Sequence, residues 1–140
     1  MLIKQISIFI ENKSGRLAEI TKLFGEKGVN ILALSLADTS DFGILRLIVS
    51  NPEAAEAAIK EHGLTAKTTE VIGVSVSHTP GGLATVLAAL GNCGISIEYM
   101  YAFVTKSEGN AMVILKVGDN FAAMKALNDN GITLMQPGDF

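Results

Sequence analysis

The chain has one cysteine, Cys93, in 140 residues. It therefore cannot staple itself with an internal disulfide or build a CxxC metal or redox site, and the usage suits a reducing cytoplasm. No apolar stretch reaches the roughly 18 residues that a membrane span needs. The opening MLIKQISIFIENKSG lacks the basic lead, long apolar middle and small-residue cleavage site of a signal peptide. Basic charge is also scarce. The net charge is −3, and neither half carries the stripe of Lys and Arg that neutralises phosphates, so neither nucleic acid nor membrane is an expected partner. The sequence also lacks a Ser-His-Asp set, a GxxxxGK[ST] loop and an HExxH helix. Its two histidines, His62 and His78, do not make a metal site, and its carboxylates are scattered. No catalytic residue, metal or cofactor is expected, and the chain reads as a non-enzyme.

What is present is a core and a repeat. Apolar residues make up 49% of the chain and charged ones 18%, the balance of a globular protein that buries a core. Placing Gly15 on Gly81 sets an offset of 81 − 15 = 66, and the register then holds: Leu17 on Leu83, Ile20 on Val86, Gly25 on Gly91, Gly28 on Gly94, Val29 on Ile95, Ile31 on Ile97 and Gly43 on Gly109. Towards the end of each unit AIKEHGLT answers ALNDNGIT at an offset of 131 − 63 = 68. That implies a two-residue insertion in the second unit, near its second helix. The chain reads as an internal duplication of residues 1–68 and 69–140.

Each unit has the same order. LIKQISIFI alternates, with Ile6, Ile8 and Ile10 on one face and Gln5, Ser7 and Phe9 on the other, as in a half-buried strand. Ser14 is placed to cap a helix whose apolar side is Leu17, Ile20, Leu23 and Phe24, and Gly28 ends it. ILALSLAD and GILRLIVS are β-rich runs around a turn. Asn51 and Pro52 open a second helix with Ala55, Ala58 and Ile59 inward, and Gly63 closes it. TAKTTEVIGVSVS is a strand that serves both units. The pattern βαββαβ, twice over, predicts an α+β protein of two ferredoxin-like units side by side, with antiparallel sheets and helices on one face. Matching edges predict that the second strands lie together in one sheet of eight strands. The face away from the helices mixes Gln5, Ser7, Gly73, Ser75 and Ser77 with Phe9, which predicts a partly wet surface or a modest contact.

The loops NKSGRL and TPGGLA each bring glycine to the start of a helix, where free N–H groups and the positive dipole end favour an anion such as a carboxylate. Read blandly, they are tight turns that feed helices. SGRLAEITKLFGEKGVNI and PGGLATVLAALGNCGISI resemble the ACT-domain signature: a Pro-Gly-x-Leu-type loop opening the first helix, and Gly-(Ile/Val)-(Asn/Ser)-Ile starting the second strand. Ser14 stands where that family usually has proline, which leaves the first loop less rigid. The resemblance covers nearly the whole chain, as in a stand-alone tandem ACT protein. It implies regulatory binding of a free amino acid where the first loop of one unit meets the second strand of a neighbour.

The candidate site follows from loops and resemblance together. Asn12, Ser14, Gly15, Arg16 and Leu17, with Gly81, Gly82 and Leu83, are the donor side; Asn30, Ser96 and Met100 are the strand side. Arg16 reads either as the fork that pairs with a ligand carboxylate or as a solvated residue on a first helical turn. Asn30 and Ser96 read equally as ligand contacts or as caps of a turn. His78 and Cys93 read as surface and packing residues, and His62 as a cation at a helix C-terminus. In EYMYAF, Tyr99, Tyr101 and Phe103 alternate with Glu98, Met100 and Ala102 as core or interface aromatics. The expected function is a cytoplasmic amino-acid sensor, as a homodimer since units this small are marginal alone. The alternative is a trans-acting regulatory subunit of an amino-acid biosynthetic enzyme.

Overall fold

The computed structural model describes residues 2–11, 13–38, 41–104 and 109–140. Its elements run β1 (Ile3–Glu11), α1 (Arg16–Glu26), β2 (Ile31–Asp38), β3 (Phe42–Val49), α2 (Pro52–Glu61) and β4 (Ala66–Ser77), then α3 (Gly82–Gly91), β5 (Ile97–Ala102), β6 (Asn110–Val117), α4 (Asn120–Asp129) and β7 (Thr133–Leu134). The architecture is mixed α+β, with antiparallel strands. Among the described residues there are seven strands rather than eight, because the segment shared by the repeats is one continuous strand, β4. Two compact units result: Lys4–Thr69, and Glu70–Phe140 together with Met1–Ile3.

In the unit Lys4–Thr69, β3 lies between β2 and β1. The alternation of β1 turns Ile6, Ile8 and Ile10 towards the helices, where they meet Ile20 and Phe24 of α1 and Ala55 and Ile59 of α2. Their cross-strand partners on that face are Leu47, Leu45 and Gly43. Fully burying one such aliphatic side chain contributes roughly 1.5–3 kcal/mol. The start of α2 follows the local code: the Asn51 side chain accepts from Ala54 N–H at 3.1 Å, with proline at the first helical position. The start of α1 does not. Its N-cap is Gly15, with φ +85° and no side-chain hydrogen bond, so Ser14 is not the cap. The left-handed turn at Gly15 takes the chain into the helix and leaves Ser14 exposed.

The second unit repeats this with the order β5-β6-β4-β7. Ile72, Val74 and Val76 of β4 pack against Val86 and Leu90 of α3 and Ala126 and Leu127 of α4. Asp119 caps α4, accepting from Ala122 N–H at 3.0 Å. The strand register also locates the insertion. Ile10 pairs with Gly43 and Val76 with Ala111, offsets of 76 − 10 = 66 and 111 − 43 = 68. The two extra residues therefore fall between β5 and β6 and not near the second helix, and the match of Gly43 with Gly109 is not structural.

β2 pairs with β3 and β5 with β6, each with the strand that follows it through a short connection. In the unit Lys4–Thr69 the face away from the helices is graded, in keeping with a partly wet surface: Gln5 and Ala33 are 0% exposed and Ile48 1%, whereas Phe9 is 51% exposed. Gln5 and Ser7 share that face with Ala33 and Ile48, and Gln5 Nε2 donates to Ser7 Oγ at 3.2 Å. In β5 a register shift between Ile97 and Tyr99 puts Ile97 and Met100 both against the core, with Tyr99 and Tyr101 half-buried.

Candidate functional site

The loop after β1 is shaped by its backbone. Lys13 N–H donates to Glu11 O at 2.8 Å, and Arg16 N–H to Lys13 O at 3.2 Å. The chain then turns through Gly15 into α1, so Arg16 is the first helical residue and its side chain is half-buried. Two adjoining clefts open around that side chain. The narrower, about 60 Å³, lies between Arg16, Leu17, Leu36 and Gly43. The wider, about 210 Å³, runs past Arg16 to Phe9, Phe42 and Thr65. Gly43 keeps the narrow cleft open, since a Cβ there would come within 3.3 Å of Leu36 Cδ1. Sixty cubic ångströms is the liquid volume of about two waters; side-chain-bearing ligands sit in clefts of roughly 300 Å³ or more. The narrow cleft therefore suits a small polar group.

Charges ring this loop. Lys13 Nζ stands 2.7 Å from a Glu11 oxygen. Arg16 Nη1 stands 3.4 Å from Oε2 of Glu19, and His62 Nε2 is 2.5 Å from Oε1 of the same carboxylate. The hydrogen bond from His62, with smaller help from the charges of His62 and Arg16, holds the Glu19 carboxyl below its usual range. Lys13 does the same to Glu11, with Arg16 adding a weaker pull.

The second loop is spelled like the first and built differently. Gly81 takes the same left-handed turn, with φ +84°. The residue after it is Gly82, in place of Arg16, and a Cβ there would run into the carbonyl oxygen of Ser77. Hydroxyl and backbone groups tie this loop: Ser77 Oγ lies 2.9 Å from Thr79 Oγ1, and Gly82 N–H donates to Thr79 O at 3.0 Å. Between Glu70 and Glu98 the chain has no Lys, Arg, Asp or Glu. An anion at this loop would meet backbone donors, and the segment itself offers no Lys or Arg.

Of the residues singled out from sequence, Ser14, Gly15, Arg16 and Leu17 come together at the first loop, and Gly81, Gly82 and Leu83 at the second. Asn12 lies outside the described residues. Asn30 sits at the other end of α1, about 16 Å of helix away. There its N–H donates to Ser50 Oγ and its carbonyl accepts from Ser50 N–H, both at 2.9 Å. Ser96 is exposed at the corresponding place beyond α3. Met100 packs on the core. Within its own unit, the part of the second strand that reaches the first loop is its far end, at Leu36. Leu36, Gly43, Glu19 and His62 were not singled out for the site; the only signal for His62 was its place at the end of a helix in the same layer as α1.

The fold and loops are those of paired ACT units, and a family model for the ACT domain pair matches residues 1–134. The chain belongs to that family. A comparison with curated proteins gives no match. Among solved structures, the protein BT0572 from Bacteroides thetaiotaomicron is 39% identical, with a TM-score of 0.93 over 99% of this chain and 95% of that one. The ligand-free regulatory subunit of aspartate kinase from Thermus thermophilus shares the fold at 18% identity and a TM-score of 0.65, covering 91% of each chain. The corresponding subunit from Thermus flavus does so at 22% and 0.58, over 91% of this chain and 92% of that one. No helix among the described residues is long and apolar enough to cross a membrane.

Proposed function

We propose that this chain is a regulatory amino-acid-binding protein, not an enzyme, that holds the carboxylate of a free amino acid at the first loop and acts as a homodimer in the cytoplasm. The observation that carries the reading is the placement of Arg16. Its guanidinium stands at the head of α1 beside two clefts, where the helix dipole adds to its charge. The ligand's ammonium would be taken by a nearby carboxylate, and Glu11 lines both clefts. The narrow cleft is too small for a ligand side chain, so a neighbouring ACT unit in the dimer would complete the wall. The second loop, with no Lys or Arg in its own segment, would be the weaker of the two.

A thermal-shift and calorimetric screen of the twenty amino acids tests this. Ligand at 100 times its Kd adds about 2.7 kcal/mol to stability, a rise of several degrees in Tm. Silence across the panel at millimolar concentration would favour the second reading, a regulatory subunit that acts by contact with a biosynthetic enzyme. That reading has its own support in Phe9 and Phe42, 51% and 58% exposed beside the wider cleft, and in the aspartate kinase regulatory subunits that share the fold. Light scattering separates the two: twice the 14.7 kDa chain mass supports the dimeric sensor, whereas a monomer that assembles only with a catalytic subunit supports the other.

A further inference from the structure

The carboxylates near Arg16 are each held by a different side chain. Glu11 is held by Lys13. Glu19 gives Oε1 to His62 at 2.5 Å and leaves Arg16 only Oε2, at a long 3.4 Å. A carboxylate with both oxygens free closes a two-pronged pair with an arginine and occupies its fork. The position of His62 is set from outside the loop: its N–H donates to Ala58 O at 3.1 Å, completing the last turn of α2, which packs beside α1.

We propose that His62 is a positioning residue for the site at Arg16: by holding one oxygen of Glu19 it keeps that carboxylate from closing on the guanidinium, and so leaves Arg16 open to an anionic ligand. The inference rests on the reading of the first loop as the ligand site.

The test uses the full chain with ¹⁵N-labelled arginine, and glycine as the probe, since it carries the carboxylate and ammonium with no side chain. In the wild type the Arg16 guanidinium, paired with only one oxygen of Glu19, sets the reference rotation rate. In His62→Ala that rotation slows, and glycine binding weakens by about two- to fivefold, the range of one exposed ion pair. Glu19→Ala in the His62→Ala background restores both rotation and affinity. Damage from a merely structural histidine would not be repaired by removing Glu19. An Arg16 signal that is the same in His62→Ala and wild type overturns the proposal whether or not glycine binds, and so does a loss that the double variant fails to rescue. If the Arg16 signals change and recover as stated while glycine binds no variant, the ligand reading fails and the hold of His62 on Glu19 stands.

Discussion

Gly82 and Ser77 meet backbone to backbone: the Cα of the first residue of α3 lies against the carbonyl oxygen that ends β4, with no room for a Cβ between them. Gly82→Ala must therefore shift the helix or the strand end. The expected cost is about 1–3 kcal/mol, as for overpacking elsewhere. Gly25, inside α1, has an ordinary helical φ and nothing within 4 Å of an added Cβ. Gly25→Ala is expected to stabilise by about 0.5–1 kcal/mol through helix propensity and lost chain entropy. Urea unfolding of the two variants should move the midpoint in opposite directions.

Gly73 is closed by side chains instead. A Cβ there would stand 2.5 Å from Ile3 Cδ1 and 3.1 Å from Met135 Cβ. Gly73→Ala should destabilise, and Ile3→Val, which deletes Cδ1, should recover part of the loss. Ile3→Val alone costs about 0.5–1.5 kcal/mol. The double-mutant cycle should give a coupling of at least about 0.5 kcal/mol. Strict additivity would mean that Ile3 does not sit over Gly73 in solution.

Glu19 supplies a pH signature of stability. Its carboxyl is held below its ordinary value of 4.5, chiefly by His62. A depressed carboxyl stabilises the folded state above its unfolded pKa, and the contribution disappears as pH falls through the folded value. Between about pH 5 and pH 2.5 the wild type should lose Tm more steeply than Glu19→Gln. Because the carboxylate is exposed, added salt should narrow the gap. Parallel acid limbs would show that the contact with His62 does not persist.

Ligand binding should distinguish the loops. Arg16→Ala is expected to keep stability within about 0.5 kcal/mol, since it replaces a half-exposed side chain, and to lower amino-acid affinity by about tenfold, as for a lost charge-assisted hydrogen bond. Gly15→Val strains a left-handed turn at a cost of about 1–3 kcal/mol and should abolish binding. Gly81→Val carries the same strain and should leave affinity at the first loop unchanged. Calorimetry at a temperature where all three variants are folded checks this. Equal loss in Gly15→Val and Gly81→Val would mean that the two loops bind alike.

Much of this protein is local and therefore readable from its sequence. The alternation of Ile6, Ile8 and Ile10, the spacing of Ile20 and Phe24, the Asn51-Pro52 start and the repeat of glycines determined the elements, their order and the core face of each. Those signals arise within one strand or one turn of helix. The tertiary structure decided what periodicity does not encode. His62 lies 43 residues from Glu19 and meets it because α1 and α2 pack on one sheet face. Gly43 and Leu36 come together through strand pairing, with partners that could not be paired before the register was known. The two loops share their spelling, and three-dimensional packing shapes them differently. Arg16 projects into open clefts, whereas the place of its counterpart, Gly82, is filled by the Ser77 carbonyl. A sequence specifies which residue stands at each position of a turn; how near the neighbouring backbone comes is set by the packing of a helix against the end of a strand.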